Sequence, residues 1–208
     1  MLRIGVMVSG GGTNLQAIID AIESGVIPDS KIELVISSKE DAMALDRATA
    51  AGIATEIIKR SDYESSSEFD EALAQTLSTY SIDLVLLAGF MAILGAGFFT
   101  KFENKVMNIH PALIPSFSGP GYYGLKVHQA VLETGCKITG ASVHFVTPEV
   151  DAGPLIIQRA VAVKQGDTPA VLQQRVMEEA EWVIYPEAIR LFALGLLEVQ
   201  GRQVIIKQ

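Results

Sequence analysis

The fold is decided by the stretch that opens the chain, LRIGVMVSGGGTNL at residues 2–15. The apolar run at residues 2–8 predicts a buried strand, and the glycines at 10–12 predict a tight loop after it. A helix is predicted over residues 14–24, ended by Gly25. Its apolar face consists of Leu15, Ile18, Ile19 and Ile22. A strand, a glycine loop and a helix in this order are typical of an α/β sheet.

The same alternation continues through the first half of the chain. Further strands are predicted at residues 31–37, 55–58 and 83–88, with helices at 42–51 and 66–80 between them. The strand at 83–88 is apolar without alternation, which indicates burial on both of its faces. This half therefore predicts an α/β fold: an open, twisted, mostly parallel sheet with helices on both faces. Ligands of such sheets bind at the carboxyl ends of the strands.

The second half has a different pattern. A strand is predicted near 105–109, followed by a Pro/Gly/Ser-rich stretch at 111–124 and a helix at 125–133. Apolar runs at 139–146 and 154–163 favour an antiparallel pair. After them, the pattern predicts a long helix from Thr168 and Pro169 toward Leu194, bent or interrupted by Pro186, and then a hairpin around Gly201. This is an antiparallel addition to the sheet, and residues 1–208 form one domain without a separating linker.

Charge and composition narrow the class of ligand. The 208 residues carry 16 Lys plus Arg and 24 Asp plus Glu, a formal net charge of −8. This acidic balance disfavours nucleic acid as a partner, because nucleic-acid binding requires a basic surface. The apolar run at 84–99 contains glycines and is shorter than the roughly 20 residues needed to cross a bilayer. The single cysteine and the lack of a signal-peptide pattern favour a cytoplasmic location. The acidic charge favours small molecules as ligands, and no membrane association is predicted.

The glycine loop is a candidate phosphate site. Glycines 10–12 allow backbone N–H groups to surround an anion, and the helix that follows contributes partial positive charge. A P-loop would need a lysine here, and a dinucleotide fingerprint would need a glycine in place of Leu15. A phosphate monoester therefore fits best. The alternative is a tight turn without a ligand.

Two further motifs are candidates for catalysis. Alternation along the strand at 105–109 places Asn108 and His110 on one face, just before Pro111. An amide and an imidazole together can stabilise an oxyanion and transfer protons, although a histidine at a strand end can be purely structural. Asp151-Ala152-Gly153 follows the next apolar strand, where an aspartate before glycine is also common turn chemistry. His128 and His144 lack metal-ligand spacing, so no metal is predicted.

Together these motifs resemble the folate-dependent formyltransferases. The resemblance rests on Asn108-x-His110-Pro111, on ALIPSF at 112–117, on GASVHFV at 140–146 and on Asp151-x-Gly153. A narrower resemblance, to the members that act on glycinamide ribonucleotide in purine synthesis, rests on SGGGTNLQ at 9–16 and on Glu181-x-x-Ile184-Tyr185-Pro186.

The resemblance implies the formyltransferase fold and an activity. The formyl group of 10-formyltetrahydrofolate, the co-substrate, would pass to the glycyl amine of 5-phosphoribosylglycinamide. The products would be the N-formyl compound and tetrahydrofolate in de novo purine biosynthesis. Residues from about 1 to 104 would form the phosphate- and ribonucleotide-binding half, and residues from about 105 to 208 the catalytic and folate-binding half. The enzyme would be a monomer or a homodimer.

The resemblance also implies roles for individual residues. Asn108, His110 and Asp151 would be catalytic. Gly12, Thr13 and Asn14 would hold the phosphate of the acceptor, and Glu181 its glycyl or ribose end. The folate pocket would be lined by Met91, Ala92, Ile93, Leu94, Thr147, Pro148, Glu149 and Val150. Ala92 and Ser66 stand where arginines are common in the family, which bears on binding of the folate tail.

The sequence also allows two other functions, and it predicts one mobile loop. Formyltetrahydrofolate hydrolases use similar catalytic residues and pass the formyl group to water. A non-catalytic nucleotide- or folate-binding module would have structural Asn, His and Asp residues. The stretch at 116–124 contains three glycines and a proline, so we predict that it closes over the site as a lid.

Overall fold

The computed structural model describes residues 1–207. Its strands are β1 (Leu2–Val8), β2 (Ser30–Ser37), β3 (Ala54–Ile57), β4 (Leu84–Leu87), β5 (Val106–His110), β6 (Ile138–Phe145), β7 (Leu155–Ala162), β8 (Leu197–Gln200) and β9 (Gln203–Ile206). Its α-helices are α1 (Thr13–Glu23), α2 (Met43–Ala50), α3 (Ser66–Thr79), α4 (Ala96–Lys101), α5 (Leu125–Glu133), α6 (Pro169–Val176) and α7 (Trp182–Ala193). A 3₁₀ turn covers Arg60–Asp62 and a π-helical segment covers Met177–Glu181.

The first compact unit, Met1–Asn108, contains the parallel part of the sheet. Its strand order is β3-β2-β1-β4-β5, and each neighbouring pair is parallel. All four residues of β4 are buried, as the continuous apolar run predicts. Helix α3 begins with a capping box, in which Ser65 Oγ accepts from the Glu68 N–H and the Glu68 carboxylate accepts from the Ser65 N–H. The predicted βαβαβαβ order is confirmed.

The second compact unit begins at Ile109 and contains the antiparallel part. β6 and β7 pair antiparallel, and β8 and β9 form the predicted C-terminal hairpin. Among the described residues of this unit, the strand order is β6-β7-β9-β8. The predicted fold class, a mostly parallel α/β sheet with an antiparallel addition, is therefore confirmed.

The long C-terminal helix is interrupted at a different position from the one expected. Pro186 lies inside α7, and the break is the π-helical segment Met177–Glu181 that precedes α7. A proline lacks an N–H group and its ring crowds the carbonyl four residues earlier, here that of Trp182. The disturbance therefore falls one turn before the proline. The π-helical segment packs against β6 and β7, and Glu181 is buried at its end.

None of the helices among residues 1–207 combines the length and the apolar character that a membrane span requires.

Candidate active site

The glycine loop between β1 and α1 has a conformation that only glycine adopts readily at its last position. Gly12, the N-cap of α1, has φ 71° and ψ 26°, and a Cβ there would lie 2.7 Å from the Cα of Ala44. Thr13 and Asn14 follow as the first helical residues and are half-buried. The loop therefore presents the amino end of α1, where backbone N–H groups and the helix dipole favour an anion.

A cation that the sequence did not single out is bonded to this loop. Arg47, on α2, donates from Nε to the carbonyl of Gly11 at 2.9 Å and from Nη1 to Gln16 Oε1 at 3.2 Å. The Ala44 N–H donates to the carbonyl of Gly10 at 3.1 Å. Helix α2 thus fixes two successive carbonyls of the loop. A P-loop lysine would lie within the loop itself, whereas here the positive charge comes from a residue on a helix, 36 positions further along the chain than Gly11.

His110 and Asp151 are brought together in the second unit. Nδ1 of His110 lies 3.5 Å from Oδ2 of Asp151, and both side chains are largely buried. His144, on β6, lies on the other side of the same carboxylate, with its Nε2 3.6 Å from Oδ1 of Asp151. One carboxylate is therefore flanked by two imidazoles. Sequence reasoning considered His144 as a metal ligand and included it in the motif at 140–146, but it did not predict the contact with Asp151.

The turn that carries Asp151 explains how the carboxylate reaches the histidines. Asp151 itself has φ 54°, in the left-handed region, which aspartate tolerates better than most residues. Gly153 follows, and a Cβ at this position would overlap the carbonyl of Phe145. The turn chemistry expected for an Asp-x-Gly sequence is thus present, and it places the carboxylate beside His110.

The stretch predicted to be a lid contacts both members of this pair. The carbonyl of Phe117 lies 2.8 Å from Nε2 of His110, and the Gly119 N–H donates to Oδ2 of Asp151 at 2.9 Å. A carbonyl can only accept, so Nε2 of His110 carries a proton. Nδ1 of His110 then faces the carboxylate, where a second proton would form an ion pair.

The electrostatics of the pair have two opposing parts. Burial lowers the pKa of His110, and the Asp151 charge and the Phe117 carbonyl offset part of that effect. Burial would raise the pKa of Asp151, but the hydrogen bond from His144, the charge of His110 and the Gly119 N–H lower it overall. Asp151 is therefore ionised at neutral pH, and it is the group that makes protonation of His110 possible.

The remaining predicted residues lie in three places. Asn108 is half-buried on β5, two residues before His110 and on the same face of the strand. Glu181 is buried in the second unit. Met91–Leu94 follow β4 in the first unit, with Met91 and Ile93 exposed and Leu94 buried. Residues 147–150 form the turn after β6, directly before Asp151, where Thr147 Oγ1 donates to the Glu149 carbonyl.

A third histidine in the second unit was also missed as a neighbour of His110. His128, on α5, is fully buried, and its pKa is lowered to about 4 by burial and by the charge of His110. Its position in the sequence carries no signal of this, because it lies in a helix 18 residues away from His110.

The fold and these motifs define a protein class. A sequence profile of the family described as formyl transferase matches residues 2–189. The chain belongs to the formyl transferase family, as the motifs predicted.

Individual relatives narrow the similarity. The chain is 42% identical to phosphoribosylglycinamide formyltransferase of Escherichia coli (strain K12) over 198 residues. The alignment covers 95% of this chain and 90% of that protein. It is also 46% identical to the human trifunctional purine biosynthetic protein adenosine-3 over 199 residues. That alignment covers 95% of this chain but only 19% of the length of the relative. The crystal structure of glycinamide ribonucleotide transformylase 1 from Symbiobacterium toebii superposes with a TM-score of 0.94 at 47% identity, covering 100% of this chain and 95% of that one.

Proposed function

We propose that this chain transfers the formyl group of 10-formyltetrahydrofolate to the glycyl amine of 5-phosphoribosylglycinamide. The observation that carries the proposal is the pairing of His110 with Asp151 at 3.5 Å, two residues after Asn108. Formyl transfer to an amine needs a donor for an oxyanion and a group that handles protons. The similarity to phosphoribosylglycinamide formyltransferase of Escherichia coli supports the same substrates.

The acceptor is held by its phosphate at the glycine loop. Gly12, Thr13 and Asn14 supply donors at the amino end of α1, and Arg47 fixes the loop through the Gly11 carbonyl. The buried carboxylate of Glu181 engages the glycyl or ribose end. The folate is held by Met91–Leu94 and by the turn at 147–150. All of these binding roles are part of the proposal.

The chemistry starts from a nucleophile that needs little activation. The glycyl amine resembles an α-amino group with a pKa of about 8, so an appreciable neutral fraction exists near pH 7. Its nitrogen attacks the formyl carbon and forms the new C–N bond, while the carbonyl oxygen becomes an oxyanion. The Asn108 amide and the Nε2–H of His110 donate to that oxygen. Release of the Phe117 carbonyl frees Nε2 for this task.

Collapse of the intermediate completes the transfer. The bond between the formyl carbon and folate N10 breaks, one proton leaves the attacking nitrogen, and one proton reaches N10. The His110–Asp151 pair holds the proton in transit, because Asp151 stabilises the imidazolium that forms. The scheme requires no metal ion and no covalent enzyme intermediate. We further propose a cytoplasmic location and a monomeric or homodimeric state.

The decisive experiment follows deformylation of a 10-formyl folate analogue by absorbance. We expect turnover that depends on added glycinamide ribonucleotide, with one N-formyl product formed for each folate deformylated. Turnover at the same rate without the acceptor would instead identify a hydrolase. Binding of both ligands without turnover would identify a non-catalytic module. The Asp151→Asn variant is the matched control for contaminating activity.

A further inference from the structure

The hydroxyl of Ser9 connects three loops at one edge of the parallel sheet. Strands β2, β1 and β4 are neighbours and parallel, so the loops that follow them leave from the same edge. Ser9 follows β1, Ser38 follows β2, and Met91 lies in the loop after β4. Ser9 is buried, with 6% of its surface exposed.

Two hydrogen bonds use this hydroxyl. The Met91 N–H donates to Ser9 Oγ at 2.9 Å, and Ser9 Oγ lies 2.6 Å from Ser38 Oγ. A serine hydroxyl has one proton and two acceptor sites, so it can serve both partners at once. The Ser38 backbone is itself fixed, because its N–H donates to the carbonyl of Val8 at 3.1 Å.

Two of these three loops, the glycine loop and the loop after β4, depend on Ser9 to different degrees. The glycine loop has its own attachments to α2, through the carbonyls of Gly10 and Gly11. The loop after β4 is held by side chains at two points. Met91 is bonded to Ser9, and the Gly95 N–H donates to Oδ2 of the buried Asp70 at 2.8 Å. Loss of the Ser9 hydroxyl therefore removes one of the two side-chain attachments of the loop after β4, while the glycine loop keeps its attachments to α2.

We propose that Ser9, although it belongs to the glycine loop, is a positioning residue for the folate loop Met91–Leu94. It holds the Met91 backbone so that residues 91–94 keep the conformation that the folate requires. The inference rests on the proposed function, because that function assigns the folate to these residues. Ser9, the first residue of the motif at 9–16, would thus contribute to binding of the folate as well as belonging to the loop that binds the phosphate.

The test is a split between the two Michaelis constants in the Ser9→Ala variant. Removal of the acceptor leaves the Met91 N–H without its partner, and we expect the KM for the 10-formyl folate to rise about tenfold. The KM for glycinamide ribonucleotide and kcat should each change less than about twofold. A fluorescence titration with a 10-formyl folate analogue should show the same weakening without any turnover.

Three further variants make the test specific. Ser9→Thr keeps the hydroxyl and should restore folate binding to within about threefold of the wild type. Ser38→Ala leaves the Met91 bond in place and should have a smaller effect than Ser9→Ala. Ser24→Ala removes a hydroxyl that donates to the Asp20 carbonyl at the far end of α1, and it should change nothing.

The possible outcomes separate this inference from the proposed function. Unchanged folate binding in Ser9→Ala, or an equal rise of both Michaelis constants, would overturn the positioning role. If the wild type transfers no formyl group, the proposed function fails. The fluorescence titration then still decides whether Ser9 controls folate binding.

Discussion

The backbone carbonyl of Phe117 accepts a hydrogen bond from the catalytic candidate His110, with 2.8 Å between its oxygen and Nε2. The same loop donates to Asp151 through the Gly119 N–H. In this conformation the loop therefore contacts both members of the pair that we propose handles the proton. Nε2 of His110 becomes available to a substrate oxygen only when the Phe117 carbonyl moves away.

We predict that the loop at 116–124 rearranges when substrates bind. Hydrogen exchange of its amides should slow in the presence of glycinamide ribonucleotide together with a non-reactive 10-formyl folate analogue, because the loop then packs on the ligands. Amides of the hairpin β8–β9 serve as the internal reference. Equal protection of the loop with and without the ligands would contradict a role as a lid.

Asp151→Asn should lower kcat by at least about 10²-fold with a modest change in KM. The substitution keeps the size of the side chain but removes the charge that raises the pKa of His110. The variant should therefore hold a proton on His110 less readily, and added imidazole or a higher pH should not restore turnover. Glu133→Gln, which neutralises an exposed carboxylate on α5, is the control and should retain wild-type kinetics. Wild-type turnover in Asp151→Asn would remove Asp151 from the catalytic set.

Asn108→Ala should also lower kcat by at least about 10²-fold, because one oxyanion donor is typically worth about 10²–10³. Asn108→Asp provides the matched comparison, since it keeps the shape of the side chain and loses the N–H donor. Steady-state kinetics of both variants should show the loss in kcat rather than in KM. An active Asn108→Asp enzyme would show that the amide N–H is not the donor.

Arg47→Gln should raise the KM for glycinamide ribonucleotide about tenfold, because a charge-assisted hydrogen bond to the Gly11 carbonyl is lost. Arg47→Lys keeps the charge without the planar geometry and should recover only part of the affinity. The KM for the folate should stay within about twofold. Arg202→Gln, at an exposed turn, is the control.

The double variant Thr13→Val/Asn14→Ala should also raise the KM for glycinamide ribonucleotide. An unchanged KM would remove the assignment of these residues to the phosphate.

His128 should make the stability of the protein depend on pH. Its pKa is about 4 in the folded chain and its ordinary value is 6.5. The unfolded chain therefore binds the proton first as the pH falls, and stability is lost between about pH 6.5 and 4. From pH 7.5 to 5.0 this amounts to roughly 2 kcal/mol. Urea unfolding should show that His128→Phe loses correspondingly less over this interval. An identical loss in both proteins would contradict the prediction.

Local patterns were sufficient for much of the fold. The apolar runs that became β1 and β4 are buried along nearly their whole length, and the glycine at position 12 marks the turn into α1. The position of the break before α7 was less predictable from the sequence. It depends on how the helix adjusts one turn before Pro186, and the pattern of residues shows only that the proline is present.

The sequence by itself determined the order of the elements, the fold class and the shared face of Asn108 and His110, since strand and helix periodicities and turn chemistry act between residues close in the chain. Only the tertiary structure decided that Asp151 contacts both His110 and His144, that Arg47 supports the glycine loop, and that Ser9 holds Met91. The partners in these contacts are between 7 positions apart, for His144 and Asp151 (151 − 144 = 7), and 82 positions apart, for Ser9 and Met91. They form because packing of the sheet and its helices brings distant segments together, and no periodicity along the chain encodes which side chains then meet.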